Sequence, residues 1–191
     1  MNKLIIITGA SGAGKTTIAE IITPALSLNR AITAATRAIR PGEVDGVNYY
    51  FMDENRFRSM IESDELVEWE EVYPGDFRGL PKFSLNESLQ KGNTISVLDI
   101  NGAYKFVMQN IVSVPYLVVG IWEERDILVE RLIGRGADGN IDDRIQKLDE
   151  EMKEVFELRN YPNTILIQNR TGKQDEVAKE VISKIKEFIN S

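Results

Sequence analysis

The stretch Gly9 to Thr16 reads GASGAGKT and carries the densest chemistry in the chain. It matches G-x-x-x-x-G-K-[S/T] between an apolar run, Lys3 to Thr8, and a helical pattern, Thr16 to Leu26. Gly9, Gly12 and Gly14 let the main chain turn its N–H groups inward around phosphate oxygens, and a helix starting near Lys15 aims the positive end of its dipole at them. Lys15 is placed to bridge terminal phosphates and the Thr16 hydroxyl to ligate Mg2+. The expected set around a nucleotide's phosphates is therefore Gly9, Ala10, Ser11, Gly12, Ala13, Gly14, Lys15, Thr16 and Thr17. A merely tight strand-to-helix turn would need glycines but not the lysine. The dinucleotide pattern G-x-G-x-x-G fails, because its sixth position, counted from Gly12, is Thr17. A second magnesium ligand is expected from Asp99, which ends the run ISVLD; the other reading of Asp99 is a helix cap before Gly102.

A phosphate loop alone serves GTPases, motor ATPases and small-molecule kinases. A GTPase needs a guanine-reading N-K-x-D element, and the chain has none; Asn2-Lys3 precedes leucine. A small-molecule kinase needs a second anion site facing the first. The stretch ATRAIRPGEVDGVNYYF supplies it: Arg37 and Arg40 offer planar forks and Tyr49 a hydroxyl. Each charge-assisted bond is worth about 1.5–3 kcal/mol. The bland alternative is two solvated arginines on a surface loop before an edge strand.

Such a site must act against the chain's own field. The 191 residues carry 30 acidic and 23 basic side chains, a net charge of −7, which argues against a general nucleic-acid or anionic-membrane binder. With no Cys and no His, disulfides, zinc sites, thiol nucleophiles and imidazole bases are excluded, leaving hard cations on oxygen ligands. The apolar runs are too short for a signal-peptide core or a membrane span, so the expected location is the cytoplasm.

The elements that position these residues alternate. Apolar strands at Lys3 to Thr8, Ile95 to Leu98, Tyr116 to Ile121 and Thr164 to Ile167 are separated by helical pattern, which predicts an α/β fold with a parallel sheet. Asp53 is placed to cap a helix over Glu54 to Glu62, and Ser84 with Glu87 has capping-box spacing for a helix from about Leu85 to Lys91, stopped by Gly92. Between Thr33 and Pro81 the pattern shifts to aromatic-rich short strands and turns, which predicts a small inserted β lobe. A Gly-rich segment, Gly134 to Asn140, precedes a long charged helix reaching about Asn160. Val177, Val181, Ile185 and Phe188 mark a core-covering C-terminal helix.

In order, the chain reads TGASGAGKTT, TRAIRPGEVDGVNYYF, ELVEWEEV, LDI and RLIGRG. The combination T-R-x-x-R-x-G-E-x-[D/N]-G, then Y-x-F, then E-W, resembles the guanylate kinase family over Lys3 to about Asn169. The resemblance implies a P-loop NTPase-type three-layer fold with an inserted β-rich lobe for the nucleoside monophosphate and a short lid. It implies ATP with Mg2+ as donor and GMP or dGMP as acceptor. Thr33, Arg37, Arg40, Tyr49 and Glu68 stand where the family binds GMP, Glu68 accepting from the guanine N1–H and 2-amino group. Asp99 joins this acceptor set. Arg131, Arg135 and Arg144 stand in the lid region, where family arginines neutralise ATP, and Asn169 stands near its adenine. With Lys15, Arg135 and Arg144 are the expected catalytic groups.

Where the family reads Y-Y-G-[S/T], this chain reads Phe77-Arg78-Gly79-Leu80. Arg78 keeps a grip on the acceptor phosphate with an added charge; Leu80 can neither donate to nor accept from a base. Asn101-Gly102 follows Asp99 where the family has a second aspartate and Gln-Gly, and the lid is about two residues short. The expected organisation is one domain: core 1–32, 83–133 and 148–191, acceptor lobe 33–82, lid 134–147. The expected activity is ATP-dependent phosphorylation of GMP or dGMP, the alternatives being another phosphorylated acceptor or a binding module without catalysis. The expected partners are small nucleotides, with no nucleic acid or membrane and the oligomeric state open.

Overall fold

The computed structural model describes residues 1–109, 111–134 and 141–191. β1 (Leu4–Gly9) is buried at every position and runs parallel to β7 (Thr94–Val97) on one side and β8 (Tyr116–Trp122) on the other. β2 (Asn29–Arg30) pairs with β7 and β9 (Thr164–Gln168) with β8, giving a five-stranded parallel sheet in the order β2-β7-β1-β8-β9. Its near-continuous apolar strands are what a sheet covered on both faces requires. α1 (Lys15–Ala25), α4 (Ile100–Gln109), α5 (Arg125–Gly134), α6 (Ile141–Glu157) and α7 (Gln174–Asn190) supply the cover, with Val177, Val181 and Ile185 of α7 in the core. Because β1 lies between β7 and β8, the loop after β1 and the residue after β7 emerge side by side at the carboxyl edge of the sheet. Ligands collect at that edge in open α/β folds.

Between β2 and β7 the chain builds a second sheet in the order β4-β3-β6-β5 from β3 (Ala34–Ala35), β4 (Tyr50–Phe51), β5 (Leu66–Tyr73) and β6 (Asp76–Pro81). α2 (Glu54–Glu62) packs on it, and Ala34, Phe57, Met60, Leu66 and Phe77 form a separate small core. The Asp53 side chain accepts from Arg56 N at 2.9 Å and starts α2, as its position predicts. The predicted capping box does not form. α3 (Lys82–Lys91) begins earlier, after Pro81, whose φ of −64° already suits a helix, and the Ser84 hydroxyl instead accepts from Ile32 N at 2.7 Å. Gly92 ends α3 as expected. Along β5, alternation puts Glu68 and Glu70 on one face, opposite Leu80 and Arg78 of β6, while a register shift between Leu66 and Glu68 leaves Leu66 in the small core with Phe57 and Phe77.

Candidate active site

A cavity of about 270 Å3 lies between the carboxyl edge of the parallel sheet and the second sheet. Gly9, Ser11, Gly12, Lys15 and Thr16 line one wall; Thr33, Arg40, Tyr49, Glu68 and Arg78 line the other. Asp99 lies with them, and Arg144 of α6 joins the lining. The fold thus brings together residues that the sequence places far apart. Among the described residues the lining carries seven carboxyl side chains (Glu68, Glu70, Glu71, Asp99, Glu150, Glu151, Glu154) against five cations (Lys15, Arg40, Arg78, Arg144, Lys147).

On the wall formed by the loop after β1, Lys15 Nζ donates to its own loop, to Gly9 O at 2.7 Å and Ala10 O at 3.3 Å. The Ser11 amide and hydroxyl both donate to Glu151 on α6, at 2.6 and 3.1 Å. Gly14 has φ +90°, and a Cβ there would stand 2.3 Å from the Asn169 amide nitrogen, so the loop closes on Asn169 only because residue 14 has no side chain. Asn169 is buried and donates to Ala13 O at 2.7 Å. Arg131 donates to Asn169 O at 2.8 Å, Thr171 Oγ1 at 2.9 Å and Gly12 O at 3.4 Å, and pairs with the buried Glu123 at 3.4 Å. Arg131 and Asn169 therefore stand behind the loop and hold its backbone, outside the cavity lining. Ala10 and Ala13 are buried and Thr17 is exposed on α1, also outside the lining. Arg135 lies outside the described residues.

On the wall formed by the second sheet, Arg37 makes a two-pronged pair with Glu43, at 2.7 and 2.6 Å, and stacks 5.0 Å over the Tyr49 ring. Glu43 also accepts from Arg40 N at 2.9 Å, fixing the loop that presents both arginines. Burial pushes the Glu43 carboxyl up, but the hydrogen bonds from Arg37 and Arg40 N, with the charges of both arginines, together outweigh this and hold it below the ordinary value. Arg37 thus braces the loop, while Arg40 lines the cavity. Arg78 pairs with Asp76 and Asp99, each at 3.1 Å. Burial opposes its charge, yet the two carboxylates win and hold the guanidinium above its usual range. Asp99 is pushed up by burial and pulled further down by Arg78 and Lys15, so it is a carboxylate. Its side chain is engaged by Arg78 rather than by a helix terminus.

Glu68 is buried, and burial pushes its carboxyl up to about 8 despite the Lys105 ammonium nearby. Its Oε2 lies where a Cβ on Gly102 would stand, 2.6 Å away, so Gly102 makes room for it. Cross-strand from Glu68 is the fully buried Leu80. Glu70, two residues along and opposite Arg78, is held at about 7 by burial and by the Asp99 charge, with Asn101 as a hydrogen-bond partner. Sequence reasoning missed Glu43, Glu70 and Glu151. The first two were within reach: Glu43 sits in the same short motif as the arginines, and Glu70 shares the strand face of Glu68.

Thr16 and Asp99 face the same cavity, one hydroxyl and one ionised carboxylate, a fitting oxygen-only start for Mg2+, which keeps waters and takes its other ligands from phosphates. Among the described residues there is no cluster of three or more acidic groups that would hold a metal unaided.

The family model described as "Guanylate kinase" matches residues 1–190. The chain is 30% identical over 192 residues to a guanylate kinase of Salinibacter ruber, covering 98% of this chain and 97% of that one. It is 37% identical to a guanylate kinase of Trichodesmium erythraeum, over 82% of this chain and 84% of that protein. Its fold superposes on the crystal structure of guanylate kinase from Anaplasma phagocytophilum with a TM-score of 0.68, at 23% identity, covering 97% of this chain and 85% of that one. The phosphate loop, the paired arginines and the buried glutamate thus occur in a chain matched almost end to end, and we conclude that it belongs to the guanylate kinase family.

Proposed function

We propose that the protein transfers the terminal phosphoryl group of ATP to GMP or dGMP. The observation that carries this reading is the facing of Lys15 and its loop by Arg40, Tyr49, Arg78 and Glu68 across one cavity. An acceptor phosphate oxygen, already anionic near neutral pH, attacks the γ-phosphorus; that P–O bond forms as the bond to the β,γ-bridging oxygen breaks, and ADP departs. No histidine or other general base is needed, so positioning and charge neutralisation carry the rate. Lys15, Arg144 and Arg135 serve the phosphoryl group in flight, Arg40 and Arg78 the acceptor phosphate, and Glu68 the guanine edge. Thr33 and Tyr49 complete the acceptor contacts. Thr16 and Asp99 would hold Mg2+, which supplies neutralisation of phosphate charge when bound. Residues 33–82 act as the acceptor lobe and 134–147 as the lid. Among the described residues no helix is long and apolar enough to cross a membrane, and we place the reaction in the cytoplasm, with its nucleotide substrates.

The test is ADP formation from ATP and Mg2+ with GMP, dGMP, AMP or no acceptor, in wild type and Lys15→Ala. Guanine acceptors are expected to drive turnover, and Lys15→Ala to lower it at least roughly 10²-fold by removing a transition-state donor. ADP formation indifferent to the acceptor, or a fully active Lys15→Ala protein, overturns the reading.

A further inference from the structure

The contact between Ser11 and Glu151, 140 residues apart in sequence, joins the phosphate loop to α6, and the mechanism above gives it no part. Its geometry is that of a bound anion. The Ser11 main-chain N–H donates to Glu151 Oε2 at 2.6 Å and the hydroxyl of the same residue donates to Oε1 at 3.1 Å, so a carboxylate spans two donors of a loop whose amides serve phosphate oxygens. Two positive-φ residues that follow Ser11, Gly12 at +79° and Gly14 at +90°, bend the main chain of the same loop.

Glu151 reaches the loop because of where α6 lies. Arg144, Lys147, Glu151 and Glu154 follow helical spacing along one face of α6, and all four line the cavity. Lys147, one turn before Glu151, donates to Val72 O at 2.7 Å and lies 4.4 Å from the Tyr73 ring centre, both on β5 of the acceptor sheet. The one helix face therefore touches the donor loop through a carboxylate and the acceptor wall through an ammonium.

We infer that Glu151 is an internal competitor for the donor's terminal phosphate: it occupies the Ser11 donors when ATP is absent and must leave them when ATP binds. This rests on the kinase reading and makes Glu151 a residue that sets donor affinity. The physical reason is charge. A carboxylate and a phosphate oxygen cannot share one N–H, and holding both anions at the loop would set like charges against each other. ATP therefore binds with the loss of two existing hydrogen bonds, and the apparent affinity is lowered by the occupancy of the closed pair. When Glu151 leaves Ser11, the helix face bearing Arg144 is released from its tie to the loop, so arrival of the donor and repositioning of a phosphate-neutralising arginine become one event.

The test is calorimetric titration of ATP with Mg2+, and separately of inorganic tripolyphosphate, into wild type, Glu151→Gln and Glu151→Ala. Glutamine keeps an oxygen that can accept from Ser11 N but loses the charge; alanine removes both. Both variants are expected to bind ATP and tripolyphosphate more tightly, by roughly tenfold for alanine, the scale of one charge-assisted hydrogen bond. The KM for ATP should fall with it while the KM for GMP stays put. A contact that only braces the loop moves affinity the other way or not at all, so unchanged or weaker ATP binding in both variants overturns the inference. Should alanine fail to fold, the glutamine variant decides the matter alone. Acceptor-dependent ADP formation by wild type is measured in parallel: its absence defeats the kinase reading, whereas its presence with unimproved variants defeats only the role given to Glu151.

Discussion

In the role proposed for it, Glu68 ties acceptor choice to pH. Its folded-state value of about 8 lies above the ordinary 4.5, so between those limits the folded protein holds a proton that the unfolded chain has released. The stability this group contributes is complete below pH 4.5 and is lost as pH rises through 8. Glu70, at about 7, acts in the same direction. Guanine, by contrast, offers two donors and calls for the ionised form, so GMP binding should expel a proton. GMP affinity is expected to rise with pH between about 6 and about 8, by up to roughly tenfold per unit, and Glu68→Gln should bind GMP weakly with that slope removed. Titrations in buffers of different ionisation enthalpy check this; a flat pH profile in wild type would contradict it. The phosphate loop was legible in the sequence because its chemistry is local, eight consecutive residues between a strand and a helix. Glu151 was not, since on a charged helix nothing in its own neighbourhood distinguishes it from solvated neighbours such as Glu150. Arg131 and Asn169 look like ligands in sequence because they carry polar groups in the right region; only packing reveals that Asn169 Nδ2 donates to Ala13 O and that Arg131 donates to Asn169 O, Thr171 and, at 3.4 Å, Gly12 O.

Among the elements, α2 has its start set by a single side chain. Asp53→Ala removes the acceptor for Arg56 N and should cost about 1 kcal/mol, read as a lower denaturant midpoint with an unchanged slope. Because α2 covers the small core of the second sheet, acceptor binding should weaken before donor binding does. Equal loss at both would show that the two sheets unfold as one unit. The strands of the parallel sheet were readable as apolar runs because burial on both faces removes polar positions. The start of α3 was not, because Ser84 and Glu87 have the right spacing for a cap but Pro81 opens the helix a turn earlier and leaves Ser84 to an Ile32 amide. β3 and β4 are two residues long each and carry no periodicity to read.

At the scale of the molecule, α6 contacts both walls of the cavity, through Lys147 and Glu151. The two substrates should therefore not bind independently. GMP is expected to change the Kd for ATP by about fivefold or more, and linkage requires ATP to change the Kd for GMP by the same factor; Kd values for each measured with and without a saturating non-reactive form of the other check this, and a factor of one would refute it. The alternation of strand and helix foretold the sheet, but the order that sets Asp99 beside Lys15 depends on β1 lying between β7 and β8, a long-range pairing that no local pattern reports. The charge of the whole chain has a further consequence. Burial holds Glu68 at about 8 and Glu70 at about 7, so near neutral pH the charges of the lining nearly balance, and a polyphosphate diffusing in from bulk water meets the field of a chain at −7 overall before it meets the amides. Added salt should then hasten encounter rather than slow it, and the molecule captures its nucleotides by contact at the last few ångströms rather than by attraction from afar.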